Sequence, residues 1–247
     1  MSPVANFAVI LPAAGKSSRF HNPHYKKPFA PLANRAVWLH AADRFLNRSD
    51  VKQVIVVISK EDREFFDLKF ASNVLIMGID VVDGGAERSD SIANALVKLK
   101  PECDYVAIHD AARPCLADAW ITQVFDAAEK SGAAILANPV TATLKRVQGE
   151  RIVETVSREN LWEAQTPQVF RRQLLVDAYA QRAKFNATDD AQLIERFGQP
   201  VTVVPGSPIN LKITTNEDLR LAEQALKAIP KASGFSAANP FADDRWT

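Results

Sequence analysis

Five short apolar runs constrain this chain more than any other feature of it. Residues 7–11 (FAVIL), 53–58, 80–82, 105–109 and 134–137 are rich in β-branched or small side chains and nearly continuous in apolar character. Strands buried on both faces of a parallel sheet read in this way. Helical patterns fall between them. Trp38, Ala41, Ala42 and Phe45 are spaced i, i+3, i+4, i+7, and Ile92, Ala95, Leu96 and Leu99 repeat the spacing. Ser59-Lys60-Glu61-Asp62 has the form of a capping box ahead of a helix carrying Phe65 and Phe66. Thr215-Asn216-Glu217-Asp218 opens a last helix, with Leu219, Ala222, Leu226 and Ile229 as its expected buried face. The alternation predicts an α/β fold: a Rossmann-like, mostly parallel sheet flanked by helices with right-handed crossovers.

One stretch breaks the alternation. Residues 143–147 and 151–156 are β-prone runs around Gln148-Gly149-Glu150 and read as a hairpin. It is too polar for a core position, and an isolated hairpin is marginal in water. A protruding arm over about residues 140–160 is expected, packed on another surface such as a second chain. The rest reads as a single domain over residues 1–230; from Pro230 the chain turns to Ala, Ser, Pro and Asn, and residues 231–247 are expected to form a mobile or loosely docked tail.

Charge excludes several functions. The formal net charge is +1, so bulk attraction to nucleic acid or to a membrane surface is not expected. No apolar run approaches the ~20 residues that cross a bilayer. Cys103 and Cys115 have no metal-ligand spacing. No signal-peptide pattern opens the sequence, and a cytoplasmic location is expected.

The chemistry concentrates after the first apolar run. Pro12-Ala13-Ala14-Gly15-Lys16-Ser17-Ser18-Arg19 is followed by Lys26-Lys27. Residues 1–42 hold five cations (Lys16, Arg19, Lys26, Lys27, Arg35) and no carboxylate. Small residues at the carboxyl edge of a strand let backbone N–H groups approach a phosphate, and the cations neutralise it. A solvated basic loop is the competing reading. The loop is not a Walker A motif, whose first glycine would fall on Ile10, and GxGxxG is absent. His21 and His24 read as a metal pair or as part of a mobile loop beside the phosphates. Further on, Gly84-Gly85-Ala86-Glu87-Arg88-Ser89-Asp90-Ser91 and His109-Asp110-Ala111-Ala112-Arg113-Pro114 each follow a predicted strand. An aspartate at the carboxyl end of a central strand suits a divalent metal or a ribose, or merely an N-cap. Thr166-Pro167-Gln168 and Asn210-Leu211-Lys212 complete the set.

In order and content these segments resemble the 2-C-methyl-D-erythritol 4-phosphate cytidylyltransferase family, within the wider nucleotidyltransferase fold. The likeness runs over residues 7–229, with HDAARP and TPQ as its specific part. It implies attack by a sugar-alcohol phosphate on the α-phosphorus of CTP, with release of pyrophosphate. It further implies that Arg19 and Lys27 stabilise the transition state, and that Pro12, Ala13, Ala14 and Gly15 line the nucleotide. Gly85, Ala86 and Ser91 would read the cytosine, Ala111 would meet the ribose, and Asp110 would sit beside Mg²⁺. Thr143, Arg158, Thr166 and Lys212 would hold the sugar phosphate, with Thr143 and Arg158 arriving from the arm of a homodimer partner. Ser17, Pro28 and Ala142 depart from the pattern, standing where the family usually has glycine, glutamine and aspartate. A ribitol 5-phosphate cytidylyltransferase and a catalytically silent nucleotide-binding module are the alternative readings.

Overall fold

The computed structural model describes residues 5–15, 17, 20, 25–183 and 185–230. The chain begins with β1 (Phe7–Pro12), a short 3-10 turn at Lys27–Phe29, β2 (Pro31–Leu32), β3 (Arg35–Ala36) and α1 (Val37–Leu46). Then come β4 (Val51–Ile58), α2 (Arg63–Met77), β5 (Asp80–Asp83), α3 (Arg88–Leu96), β6 (Tyr105–Ile108) and α4 (Asp118–Ser131). The remainder is β7 (Ala133–Pro139), β8 (Leu144–Gln148), β9 (Arg151–Val156), β10 (Trp162–Arg171), α5 (Arg172–Gln181), α6 (Asp190–Arg196), β11 (Thr202–Pro205) and α7 (Asn216–Ala228).

Among the described residues, seven strands form the main sheet in the order β11-β7-β10-β6-β1-β4-β5. β1 pairs in parallel with both β4 and β6, and β4 in parallel with β5. All five predicted apolar runs are strands of this sheet. Side chains alternate across β1. Phe7, Val9 and Leu11 face a layer holding Trp38, Phe45, Phe66 and Phe125 from α1, α2 and α4. Ala8 and Ile10 face Ile92, Leu96, Leu175 and Tyr179 from α3 and α5. The α/β architecture is therefore the expected one.

Three local expectations are corrected. The apolar alternation does not predict β10 or β11, and β10 runs antiparallel between β6 and β7. Its buried residues include Gln165, Thr166 and Gln168, so it lacks the apolar signature of the other central strands. Its ladder with β7 is interrupted between Ala164 and Gln168, where Thr166-Pro167 is cis; a proline inside a sheet needs such a break. Ser59 caps a 3-10 turn at Lys60–Asp62 rather than α2 itself, its Oγ accepting from the Asp62 N–H. In α7 the Thr215/Asp218 box is reciprocal, but only Ala222 is fully buried; Leu219, Leu226 and Ile229 are half-buried.

The hairpin is present. β8 and β9 pair antiparallel in a sheet of their own, and Gly149 takes φ +59° in the turn. Val147, Ile152 and Val153 are 54%, 64% and 57% exposed, so the arm has apolar surface that the other described residues do not cover. The predicted tail at 231–247 lies outside the described residues, as do Arg19, His21 and His24.

Candidate active site

A cleft of about 620 Å³ is lined by the residues after β1, β4, β5 and β6 together with Lys212. In parallel α/β sheets the carboxyl ends of strands are where loops leave backbone groups open to ligands.

The first wall is the loop after β1. The Ala13 N–H still bonds to the Val57 carbonyl at 2.8 Å, carrying sheet order to the edge of the loop. Pro12, Ala13, Ala14 and Gly15 all line the cleft. Ser17, where the related pattern has glycine, takes φ +52°, the left-handed region that glycine adopts without strain. Its Oγ accepts from the Lys27 N–H at 3.3 Å, tying the loop to the second cationic segment. Lys26 pairs with Asp62 at 2.7 Å, and Asp62 also accepts from Ser59 Oγ at 2.6 Å. Lys27 lines the cleft beside Pro28.

The second wall is the turn into α3. A Cβ on Gly84 would lie 2.7 Å from the Ala14 Cβ, and one on Gly85 would lie 2.3 Å from the Asp90 Cβ. Glycine is required here by close approach. Gly85, Ala86 and Ser91 all face the cleft. The Ser91 hydroxyl is engaged within the turn, accepting from the Gly85 N–H and donating to the Glu87 carbonyl, each at 3.1 Å.

Asp110 forms the floor. Its Oδ2 meets Lys212 Nζ at 2.8 Å and Arg113 Nε at 3.3 Å. Burial pushes its carboxyl pKa up, but Lys212, Arg113 and Arg88 outweigh burial and hold it well below the usual carboxylate range. It is an ionised carboxylate among cations. Behind it, the Thr166 hydroxyl accepts from the Asp110 N–H at 3.1 Å and donates to His109 Nδ1 at 3.0 Å. His109 Nε2–H in turn donates to the Arg113 carbonyl at 2.9 Å. Burial lowers the His109 pKa to about 4, so the ring is neutral with both nitrogens committed.

Several expected residues fall elsewhere. The Ala111 side chain is fully buried in the core and Ala112 lines the cleft instead. Thr166 is 5% exposed and lies behind Asp110, because the break in β10 turns it inward. Thr143 and Arg158 are exposed on or beside the arm, outside this chain's own cleft, and Arg158 donates to the Thr141 carbonyl. Arg88 was missed as a site residue. It lines the cleft and pairs with the fully buried Asp190 at 2.6 Å, and Asp190 also accepts from the Tyr179 hydroxyl at 2.6 Å. An ion pair between residues 102 apart leaves no local signal.

Among the described residues no group of three or more His, Cys, Asp or Glu is arranged to hold a metal alone. The chemistry of the donor set still suits a hard cation. Asp110 is ionised and both of its ion pairs fall on Oδ2, and Mg²⁺ commonly takes one or two carboxylates and completes its shell with substrate phosphates.

A small-residue loop, adjacent cations and an ionised aspartate at the strand ends define an enzyme of the nucleotidyltransferase class. Comparison narrows the class. The family model described as 2-C-methyl-D-erythritol 4-phosphate cytidylyltransferase matches residues 7–228, and the chain belongs to that family. Two curated relatives of that name are similar throughout. The one from Rhodopirellula baltica is 44% identical over 237 residues, covering 92% of this chain and 97% of the relative. The one from Clostridioides difficile is 40% identical over 222 residues, covering 89% and 93%. The crystal structure of the Francisella tularensis enzyme of that name superposes with a TM-score of 0.76 at 31% identity, covering 90% of this chain and all of the other.

Proposed function

We propose that this chain transfers the cytidylyl group of CTP to 2-C-methyl-D-erythritol 4-phosphate. The products are 4-diphosphocytidyl-2-C-methyl-D-erythritol and pyrophosphate, in the non-mevalonate isoprenoid pathway. The observation that carries this reading is that the loop after β1, Lys27, the Gly85–Ser91 turn, Asp110 and Lys212 line one cleft in a chain of this family.

The nucleophile is an oxygen of the sugar-alcohol phosphate, whose second pKa of about 6 leaves it largely dianionic at neutral pH. It attacks the α-phosphorus of CTP, the bond from that phosphorus to the α,β-bridging oxygen breaks, and pyrophosphate leaves with the electron pair. No general base is needed. The committed nitrogens of His109 agree with this, because that histidine has no free site from which to take a proton. Catalysis then rests on positioning and on cations placed where charge develops. Lys27 and Arg19 act on the α-phosphate and the leaving pyrophosphate. Backbone N–H groups of Ala14 and Gly15 approach the phosphates, the Ala13 N–H being committed to the Val57 carbonyl. Main-chain acceptors at Gly85 and Ala86 recognise the cytosine amino group, with Ser91 holding the turn, and the ribose lies along residues 110–112. Lys212 attracts the sugar-alcohol phosphate and Thr166 fixes the backbone of Asp110. Mg²⁺, held by Asp110 and by substrate oxygens, would withdraw charge from the phosphates when bound.

Thr143 and Arg158 serve the neighbouring cleft of a homodimer, across which the arm reaches. The uncovered Val147, Ile152 and Val153 support that assignment. The working unit is a single domain over residues 1–230. Its setting is the cytoplasm, in keeping with two buried free thiols and with no described helix long and apolar enough to span a membrane.

One assay tests the function: purified chain, Mg²⁺, CTP and 2-C-methyl-D-erythritol 4-phosphate, with pyrophosphate detected. Turnover should require all components, and UTP should be strongly rejected because it lacks the amino donor. Faster turnover of ribitol 5-phosphate would replace the assignment with the alternative substrate, and absence of turnover with either would leave a nucleotide-binding module.

A further inference from the structure

We propose that the hollow beside α1 and the start of α4 is a second anion site, built for a small phosphate group and separate from the catalytic cleft. The hollow encloses about 430 Å³ and shares no lining residue with the cleft. Three arginines face it: Arg35, Arg44 and Arg48.

Two of the three are already neutralised. Arg35 is paired with Asp43. Arg48 grips Asp50 with Nε and Nη2, at 3.0 and 2.7 Å, and donates Nη1 to Thr122 Oγ1 at 3.1 Å. Arg44 is different. Among the described residues it makes no ion pair or hydrogen bond, and its Nε–H is buried without an acceptor. A buried polar group left unsatisfied is costly, and charged partners form the stronger hydrogen bonds. The carboxylates lining the hollow do not supply that partner: Asp43 is taken by Arg35, and the exposed Asp118 forms no ion pair with Arg44.

With Nε covered by protein, the two terminal nitrogens of Arg44 are left to meet two oxygens of a phosphate, which selects this class of ligand over a halide or a neutral molecule. Spare N–H groups of Arg35 and the Asn47 side chain border the same space. His40 also faces the hollow and supplies a reporter. Its ring is fixed by an Nε2–H bond to the Leu32 carbonyl at 2.8 Å. Burial lowers its pKa, Arg35 and Arg44 push in the same direction, and Asp43 opposes them. An anion beside Arg44 would oppose the arginines and raise it.

The probe is inorganic phosphate, titrated into the full chain while the histidine ring signals are followed by NMR, with His40→Gln assigning the resonance. The expected result is a saturable His40 shift and a raised His40 pKa, both retained in Lys27→Ala. Arg44→Gln should weaken binding by about 10-fold or more, the scale of one charge-assisted hydrogen bond. Arg44→Lys keeps the charge and loses the fork, so its affinity should fall between the two. Cytidylyl transfer by Arg44→Gln should match the parent. Four outcomes overturn the proposal. These are no His40 response, an undiminished response in Arg44→Gln, loss of the response in Lys27→Ala, and a change of sedimenting mass in Arg44→Gln that marks the hollow as a subunit contact. A lack of cytidylyl transfer in the parent would bear on the catalytic assignment alone.

Discussion

Lys27 stands where the chain has little freedom. Pro28 follows it, Ser17 Oγ holds its N–H, and Phe29 packs against Phe65, Phe66 and Phe70 with ring centroids 5.8, 6.0 and 6.0 Å away. Such anchoring suits a charge that must meet a transition state without first being ordered. Lys27→Ala should lower kcat by ~10²-fold or more, the usual size for losing one electrostatic stabiliser, and Arg19→Ala should do likewise. A rise in KM alone would reveal a uniform binder instead. His109 carries a prediction about stability. Its folded pKa of about 4 lies below its ordinary value of 6.5. As pH falls through that window the unfolded chain takes up a proton that the folded chain refuses, so stability is complete above 6.5 and declines towards 4. The loss should reach about 3 kcal/mol. Urea midpoints measured from pH 7 to 4 should drop, and less steeply in a folded His109→Gln variant.

At the scale of elements, the turn into α3 is pressed against the loop after β1 with only the absent Cβ of Gly84 between them. Gly84→Ala would push the wall proposed to read the base away from the wall proposed to meet the phosphates. Far-UV circular dichroism should be unchanged while kcat/KM for CTP falls by ~10²-fold, since displacements near 1 Å are costly in a positioned site. Unchanged kinetics would mean that the two walls move independently. What the sequence discloses follows the same division. β1, β4 and β6 are legible because both faces are buried and continuous apolar character is their only requirement. β10 is not, because Gln165 and Gln168 are satisfied by partners far along the chain: the Ser207 carbonyl at 2.8 Å and the Asp189 carboxylate at 2.8 Å. The short motifs around Gly15, Gly85 and Asp110 could be read because each lies within one loop. The pairing of Arg88 with Asp190 could not, and neither could the inward turn of Thr166.

For the molecule as a whole, the decisive question is which cleft Arg158 serves. Chains carrying Lys27→Ala and chains carrying Arg158→Ala should each be nearly inactive. If Arg158 acts across a twofold dimer, every mixed dimer has one site broken twice and one site intact. Random exchange makes about half the dimers mixed, so activity should return to roughly a quarter of the parent value. No recovery, with exchange confirmed by mass spectrometry, would assign Arg158 to its own subunit.

The order in which the sheet is assembled also bears on synthesis. β10 lies between β6 and β7, both of which precede it in the chain. While a ribosome has released only the first 160 or so residues, β6 has one edge with no neighbour, and β7 has no strand to join. Open strand edges of this kind invite pairing between nascent chains. A stall or a premature stop just before Trp162 should therefore be more harmful than one beyond Arg171, because the missing piece is the strand that joins the two parts of the sheet.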